Sequence, residues 1–255
     1  MVAKHHNETS LYMEIHEKPL LKGFSFTFRR NMKYRVKNIR ALKQKEFLDI
    51  LHRSAEMYSE YVDTTLLFIF REKKDEAYEF YEVRYGKNNF MHLAGIKSDL
   101  LNANEFYEAC IAGTITVREC KPRRDINTMY SKVAIIEEML DLRNSKCYKI
   151  GKKNLVTYNN DFEMATGNSN GVIGYDSRIK VKGVDKVTLN KSPIPTTLLN
   201  NSITDYCTRP QKIIFILQKQ DGESKYNYLF YEIKKGLFQI EKESFSDELK
   251  ELIGM

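Results

Sequence analysis

The sequence predicts an α+β protein in which helices come first and an antiparallel sheet follows. Apolar residues recur near a 3.6-residue period in residues 41–61 and again in residues 125–142, as on the buried face of a helix. After residue 142 the chain consists mostly of short strand-like runs separated by Gly, Asn, Asp and Ser, which favour turns. No internal repeat interrupts the 255 residues, a length that suits one large domain or one domain with an arm.

Composition favours a globular protein with an excess of basic residues. Hydrophobic residues make up 42% and aromatic residues 12%, enough for a real core, and 29% charged residues is ordinary for a soluble protein. The 41 Lys and Arg residues exceed the 34 Asp and Glu residues, and the net charge of +7 favours polyanionic partners. The longest apolar run, residues 65–70, is far shorter than the roughly 20 residues that span a bilayer, so we expect no membrane partner.

The cysteines and the N-terminus indicate a reducing compartment. Cys110, Cys120, Cys147 and Cys207 form no Cys-x-x-Cys pair, and the first residues lack the apolar core of a secretory signal. We therefore expect free thiols and a cytoplasmic location.

Residues 1–39 are predicted to form a basic, aromatic-rich N-terminal arm. Residues 22–45 include nine Lys and Arg residues and no acidic residue, and aromatic residues alternate through Phe24, Phe26 and Phe28. Basic side chains attract phosphates and aromatic rings stack on unpaired bases, so the arm is a candidate nucleic-acid-binding segment. A solvated basic face with core aromatics explains the pattern equally well. The candidate nucleic-acid-binding residues are Arg29, Arg30, Lys33, Arg35, Lys37 and Arg40.

The first elements after the arm are a helix and a hairpin. Residues 41–61 are predicted to be an amphipathic helix. Two strands, residues 65–70 and 78–85, are joined by a charged turn, which indicates a β-hairpin.

His92 lies in an apolar stretch that precedes the next helix. Residues 90–96 read Phe-Met-His-Leu-Ala-Gly-Ile, and Ser98 and Asp99 are good N-cap residues for a helix that continues to about Cys110. From residue type alone, a histidine between apolar residues is more often a satisfied, half-buried polar group than a catalytic one.

A short strand at residues 114–119 leads to the second long helix. Asp125 is predicted to cap that helix, which runs to about Leu142. Lys132 lies beside the apolar face of the helix, where ordinary snorkelling of its aliphatic stem would also explain it.

The remaining elements are predicted to be strands and one short helix. A hairpin is expected across residues 151–154, and prolines at 193 and 195 are expected to break the strand pattern. Ser246 is predicted to cap a terminal helix at residues 246–253. The predicted strands are residues 147–150, 155–158, 162–165, 172–175, 184–189, 213–217 and 226–233.

No familiar catalytic motif is present. The sequence contains no P-loop, no Gly-x-Gly-x-x-Gly, no His-Glu-x-x-His and no Gly-x-Ser-x-Gly, and no carboxylate cluster suggests a two-metal nuclease. A phosphodiesterase with such a sequence would act without metal, which suits RNA because the 2′-hydroxyl is a built-in nucleophile. It needs only a base, an acid and cations.

From residue 90 onward the chain resembles the phage-encoded barnase–EndoU–colicin–RelE-like (BECR) nucleases, specifically their fourth phage family. The resemblance covers roughly residues 40–235. The order and spacing of several short pieces carry it: residues 92–96, 106–107, Lys132 on its helix, 167–168, 173–175, 195–199 and 213–219. Two positions depart from the family pattern: Ala94 stands where Thr is usual, and Thr197 where Ser is expected.

The resemblance implies a BECR-like nuclease domain over residues 40–255, with N-terminal helices packed on a small antiparallel β-sheet. It implies metal-independent RNA cleavage or a toxin-like role, with no cofactor and no metal. The catalytic residues that it implies are His92, Lys132, Thr197 and Lys219, of which His92 is the acid or base and the lysines stabilise phosphate charge.

Two functions fit these features of the sequence. The first is a phage or mobile-element endoribonuclease that cleaves RNA in the cytosol of a host cell by 2′-hydroxyl attack. The second is a non-catalytic interaction protein on the same fold, which binds nucleic acid or inhibits a host defence complex. The partners expected are RNA or another nucleic acid, and a host defence protein or a cognate inhibitor.

Overall fold

A computed structural model describes residues 44–144, 148–154, 162–180 and 187–255. These residues form a mixed helix-and-sheet fold. The helices are α1 (Gln44–Ser59), α2 (Lys87–Leu93), α3 (Ala103–Ile111), α4 (Ile126–Leu140), α5 (Leu237–Glu241) and α6 (Asp247–Ile253). The strands are β1 (Thr64–Arg71), β2 (Glu79–Tyr85), β3 (Ile96–Lys97), β4 (Lys121–Pro122), β5 (Lys149–Lys152), β6 (Met164–Gly167), β7 (Val172–Lys180), β8 (Val187–Leu199), β9 (Gln211–Gln220) and β10 (Tyr228–Glu232).

Eight of these strands form one antiparallel sheet. Its order is β2-β1-β9-β5-β6-β7-β8, and β10 pairs with β9 beyond the end of β5. The other two strands, β3 and β4, form a separate two-stranded antiparallel sheet. Helix α3 lies in the connection between them, and we call this strand pair the β3–β4 hairpin. The sheet is therefore antiparallel as predicted but larger than the small sheet that the resemblance implied.

Both faces of the central strands are covered. Alternate residues of β1 face opposite sides: Leu66 and Phe68 join a main core that includes α1 to α4, whereas Leu67 and Ile69 join a second core that includes α5 and α6. Because β1 is buried on both faces, its sequence is continuously apolar from Leu66 to Phe70 instead of alternating. The run of residues 65–70 thus reflects a central strand between two helical layers.

The sheet curves until its two ends approach each other. Strands β2 and β8 lie close together although they exchange no ladder hydrogen bonds. The buried hydroxyl of Tyr175 on β7 lies 3.0 Å from that of Tyr85 on β2 and 2.6 Å from that of Thr166 on β6. Helix α2 packs between α3 and β8, which places His92 at the closing end of the sheet.

Periodicity and capping predicted the longer elements correctly. Helix α1 and the β1–β2 hairpin are confirmed, with Thr65 paired to Arg84 and Phe70 to Glu79. Asp125 caps α4 by accepting a hydrogen bond from the amide of Thr128, and Ser246 caps α6 in the same way. The pairing of β9 with β10 is also confirmed.

The predicted start of α3 was wrong. The helix begins after Asn102, whose side chain accepts hydrogen bonds from the amides of Asn104 and Glu105, while Glu105 bonds back to the Asn102 amide. This reciprocal capping box satisfies the start of the helix. The hydroxyl of Ser98 instead accepts hydrogen bonds from the amides of Leu100 and Leu101, which precede the helix. The strand expected at residues 114–119 is also wrong, since Val117–Glu119 is a 3-10 turn.

Two predictions about the later strands were wrong as well. Gly151 and Lys152 belong to β5, which pairs with β6, so no hairpin turn occurs at those two residues. Pro193 and Pro195 do not end a strand, because β8 runs through both of them. Strand β8 is the last strand of the sheet and its register with β7 is shifted near Pro195, and proline is tolerated at such edge and bulge positions.

Several predictions concern residues outside those described. They are the arm at residues 1–39 with its candidate nucleic-acid-binding residues, the start of the first helix, the strand at residues 155–158, and Cys147. Cys110, Cys120 and Cys207 are described, and all three are buried free thiols. A helix long and apolar enough to span a membrane does not occur among the described residues.

Candidate active site

Helix α2 and the turn after it position His92. The helix begins after Gly86, whose amide donates to the side chain of Asn89, and it buries Phe90 and Leu93 in the main core. His92 lies on another side of the helix and is half-buried. The helix ends where the amide of Gly95 donates to the carbonyl of His92, 3.0 Å away. Although α2 is short, it positions the imidazole of His92 because other residues of the helix pack in the main core.

Lys132 lies directly against this turn. Gly95 has a φ of +72°, a left-handed conformation that favours glycine at the end of a helix. A β-carbon at Gly95 would stand 2.7 Å from Cδ of Lys132 and 3.5 Å from Cα of Met129. Glycine is therefore favoured at position 95 for two reasons. It adopts the left-handed turn, and it leaves room for the side chain of Lys132 from α4.

The β3–β4 hairpin brings two arginines close to the turn at Gly95, beside His92 and Lys132. Ile96 pairs with Pro122 and Lys97 with Lys121, and the amide of Arg123 then donates to the carbonyl of Gly95, 2.9 Å away. Arg124 follows immediately, before the N-cap of α4. We call His92, Arg123, Arg124 and Lys132 the His92 cluster.

The pKa values of this cluster reflect burial among like charges. Burial, followed by the positive charges of Arg123 and Lys132, lowers the pKa of His92 to about 4. Burial, followed by the charges of Arg124 and Arg123, lowers the pKa of Lys132 to about 8. The pKa of Arg123 is lowered by burial and by Arg124. Among the described residues, the charges that shift the pKa values of these three groups are all positive. No carboxylate is among the causes of these shifts.

This arrangement suits an anionic ligand. Positive groups that depress one another's pKa values regain favourable interactions when a phosphate enters. The imidazole is neutral above about pH 4 and is able to accept a proton, while Lys132 has a pKa close to the range in which acids transfer protons efficiently. Perturbed groups of this kind cluster at functional sites.

A comparison with known protein families matches most of the chain. The family model of the phage-Barnase-EndoU-ColicinE5/D-RelE like nuclease 4 group matches residues 50–235. The chain belongs to this family of phage-type nucleases. The matched region contains the whole His92 cluster, and the resemblance drawn from the sequence is confirmed. Searches of curated proteins and of solved structures found no match.

Thr197, a motif position in the family resemblance, lies apart from the His92 cluster. On β8 it stands opposite Gly174, and a β-carbon at Gly174 would meet the ring of Phe162. Directly paired residues of antiparallel strands share a face, so Thr197 faces the Phe162 side. Its neighbour Leu198 packs in the main core on the opposite face.

Lys219 also lies apart from the His92 cluster. It is at the end of β9, opposite Thr65, on the face that carries Leu217 and the second core. Its ammonium group lies 3.5 Å from a carboxylate oxygen of Glu82 and 4.4 Å from the centre of the Tyr226 ring. The structure thus brings together two of the four predicted catalytic residues, His92 and Lys132.

Ala94, the other residue that departs from the family pattern, does not lie on the surface. It is fully buried in the main core, at the C-cap of α2. A threonine there would place its hydroxyl in the core, beside the carbonyls at the end of the helix.

Arg123 and Arg124 are the residues that sequence reasoning missed. Their signal was visible as two adjacent arginines just before the N-cap of the helix that carries Lys132. What the sequence lacked was the pairing of β3 with β4, which joins Arg123 to Gly95. Among the described residues, no group of three or more His, Cys, Asp or Glu side chains is arranged to hold a metal ion.

Proposed function

We propose that this chain is an endoribonuclease of phage or mobile-element origin that cleaves RNA by 2′-hydroxyl attack, without a metal ion. The observation that carries the proposal is the half-buried imidazole of His92 beside Lys132 and Arg123, with only positive charges acting on its pKa. A neutral base surrounded by uncompensated cations matches a phosphodiester whose neighbouring hydroxyl must lose a proton. Membership of a phage-type nuclease family supports a nucleic-acid substrate.

The proposed reaction assigns one proton transfer to each of two residues. His92 takes the proton of the 2′-hydroxyl as its oxygen bonds to phosphorus. The bond from phosphorus to the 5′-oxygen then breaks, and Lys132 donates a proton to that oxygen. The products are a 2′,3′-cyclic phosphate and a free 5′-hydroxyl. The positive potential that the cations of the His92 cluster create at this point stabilises the charge that develops on the phosphate oxygens.

In this proposal the chain consists of a nuclease domain and an RNA-binding arm. Residues 40–255 act as the nuclease domain in a host cytosol, and residues 1–39 act as an RNA-binding arm. Thr197 and Lys219 are assigned structural roles, because they lie on other faces of the sheet than the His92 cluster.

The proposal is tested by incubating the full chain with total RNA and with tRNA in excess EDTA and mapping the product ends. We expect cleavage that survives EDTA and leaves 2′,3′-cyclic phosphate and 5′-hydroxyl ends. A matched oligonucleotide with 2′-O-methyl groups should stay intact, since it lacks the nucleophile. Cleavage of the 2′-O-methyl oligonucleotide, or activity that EDTA abolishes, would contradict the mechanism.

A non-catalytic interaction protein is the second candidate, favoured by the alanine at position 94. In that case the His92 cluster binds nucleic acid, or the acidic surface of a host defence protein, without reaction. Wild-type protein that binds the 2′-O-methyl oligonucleotide but cuts no RNA would favour this function.

A further inference from the structure

The β3–β4 hairpin carries more positive charge than any described partner neutralises. Lys97, Lys121, Arg123 and Arg124 lie on it or directly after it, whereas the nearby acids in sequence are Asp99, Glu119 and Asp125. All three acids are engaged. Asp99 pairs with Lys121, Glu119 accepts from the amide of Thr116 at 2.6 Å, and Asp125 caps α4 by accepting from the amide and hydroxyl of Thr128 at 2.9 and 2.6 Å.

Three of the four basic residues are left without an ion pair. Within the described part of the chain, Lys97, Arg123 and Arg124 form none, and all three residues are exposed, although Arg123 is also partly buried. Their alignment is nevertheless fixed, because Ile96 and Cys120 anchor the hairpin in the main core and Arg123 is bonded through its backbone to Gly95. The fold therefore holds the backbone of these residues in place, while their charged side chains are free to bind a ligand.

The position of the hairpin relates these charges to the reaction. Arg123 and Arg124 shift the pKa of Lys132, and Arg123 shifts that of His92, so both arginines act on the catalytic groups of the proposed function. Lys97 lies further along the hairpin, one residue from Ile96 and two from Gly95. A polynucleotide whose reacting phosphate sits between His92 and Lys132 would place a flanking phosphate near these side chains.

We propose that the β3–β4 hairpin is an RNA-binding element in which Lys97, Arg123 and Arg124 bind backbone phosphates that flank the cleaved one. The proposal rests on the proposed function, because it places the reacting phosphate at the His92 cluster. It adds a substrate class, a polyribonucleotide instead of a dinucleotide, since flanking phosphates contribute only when the strand continues beyond the cleaved bond. Contacts to phosphates carry no base specificity, so the hairpin contributes affinity and register.

The test separates binding from cleavage. The affinity of a fluorescent 12-nucleotide 2′-O-methyl RNA is measured from 50 to 200 mM salt for the wild type, for Arg123→Ala/Arg124→Ala and for a control, Lys234→Ala/Lys235→Ala. The control removes two exposed adjacent charges that follow β10. Two lost phosphate contacts should reduce the slope of log K against log salt by about 1.4 on a single strand. The control should keep the wild-type slope.

Each outcome bears on one proposal. The hairpin proposal is overturned if the double arginine variant keeps the wild-type slope, or if the wild-type protein does not bind the oligonucleotide. Because the probe cannot be cleaved, a failure of the proposed reaction leaves this result unaffected. Melting temperatures of all variants are compared as well, and Lys97→Ala alone should reduce the slope by about 0.7 where the double arginine variant is unstable.

Discussion

At Gly95 the backbone φ is +72°, and Cδ of Lys132 lies 2.7 Å from where a β-carbon would stand. Gly95→Ala should therefore destabilise the protein by about 2–4 kcal/mol, from left-handed strain plus overpacking against Lys132. Gly222 is a matched control, because its φ is +93° but nothing lies within 4 Å of an added β-carbon. Gly222→Ala should cost only about 1–2 kcal/mol.

Urea unfolding of both glycine variants measures the difference. RNA cleavage should fall in Gly95→Ala, because the displaced lysine is a proposed catalytic residue, and stay near the wild-type rate in Gly222→Ala. Equal stability and equal cleavage in the two variants would contradict the close packing of Lys132 on Gly95.

The pH dependence of cleavage depends on two individual residues. The pKa of His92 is lowered to about 4 and that of Lys132 to about 8, and the base must be unprotonated while the acid is protonated. The value of kcat/KM, which reports the free enzyme, should thus fall below about pH 4 and above about pH 8. Between these limits it should be nearly flat. An acid limb near the ordinary histidine pKa of about 6.5 would contradict the burial of His92 among cations.

The lowered pKa of His92 also makes the stability of the protein depend on pH. Since the folded pKa of His92 lies below its unfolded value, the unfolded state binds more protons between about pH 4 and 6.5. The free energy of unfolding should consequently decrease as pH falls through this window, and His92→Gln should remove part of that decrease.

At the scale of elements, the C-terminal helices form the second core with the sheet. Phe245, just before α6, is 3% exposed and packs with Tyr78 and Phe215. Arg71 and Tyr78 further tie this segment to the sheet through Glu241. Residues 236–255 lie beyond the family match yet cover one face of β1 and β9.

Phe245→Ala should lower the free energy of unfolding by about 3–5 kcal/mol, the usual cost of truncating a buried phenylalanine. Ile240, in the same segment, is 76% exposed, and Ile240→Ala should change stability by less than about 0.5 kcal/mol. Chemical denaturation compares the two variants. A small effect of Phe245→Ala would mean that the C-terminal segment does not stabilise the sheet.

The elements that the sequence predicted share a strong local signal. Helices α1 and α4 show helical periodicity over 16 and 15 residues, and the caps at Asp125 and Ser246 act within three residues. Helix α2 has only seven residues, too few for a period to be recognised. A strand was predicted at residues 184–189, but the continuation of β8 through its prolines was missed. Tolerance of these prolines depends on the edge position of β8, which is a property of the whole sheet.

The candidate site shows the same limit. His92 and Lys132 were found through a family resemblance, whereas Arg123 and Arg124 needed the β3–β4 pairing. Thr197 and Lys219 came from the same resemblance. Sequence order alone cannot tell which face of a strand these two residues occupy until the register is known.

At the scale of the whole molecule, Tyr175 links the two ends of the curved sheet. Its hydroxyl bonds those of Tyr85 and Thr166, and all three residues are fully buried. Tyr175→Phe leaves two buried hydroxyl groups unpaired and should cost about 1–3 kcal/mol. Tyr228→Phe is the matched control, because Tyr228 is 50% exposed, and it should be nearly neutral. Melting temperatures of both variants equal to that of the wild type would contradict this link.

The central claim, that the His92 cluster cleaves RNA, is tested most directly by the initial rate of RNA cleavage in EDTA for the wild type, His92→Gln and His52→Gln. His52 is the matched histidine, since it lies on α1 and bonds the carbonyl of Cys110 at 2.8 Å, outside the cluster. We predict that His92→Gln lowers the rate at least about 100-fold, the lower limit for loss of a general base, with an unchanged circular dichroism spectrum. His52→Gln should retain most of the rate. Equal rates for His92→Gln and His52→Gln, with both variants folded, would contradict the assignment of His92 as the catalytic base.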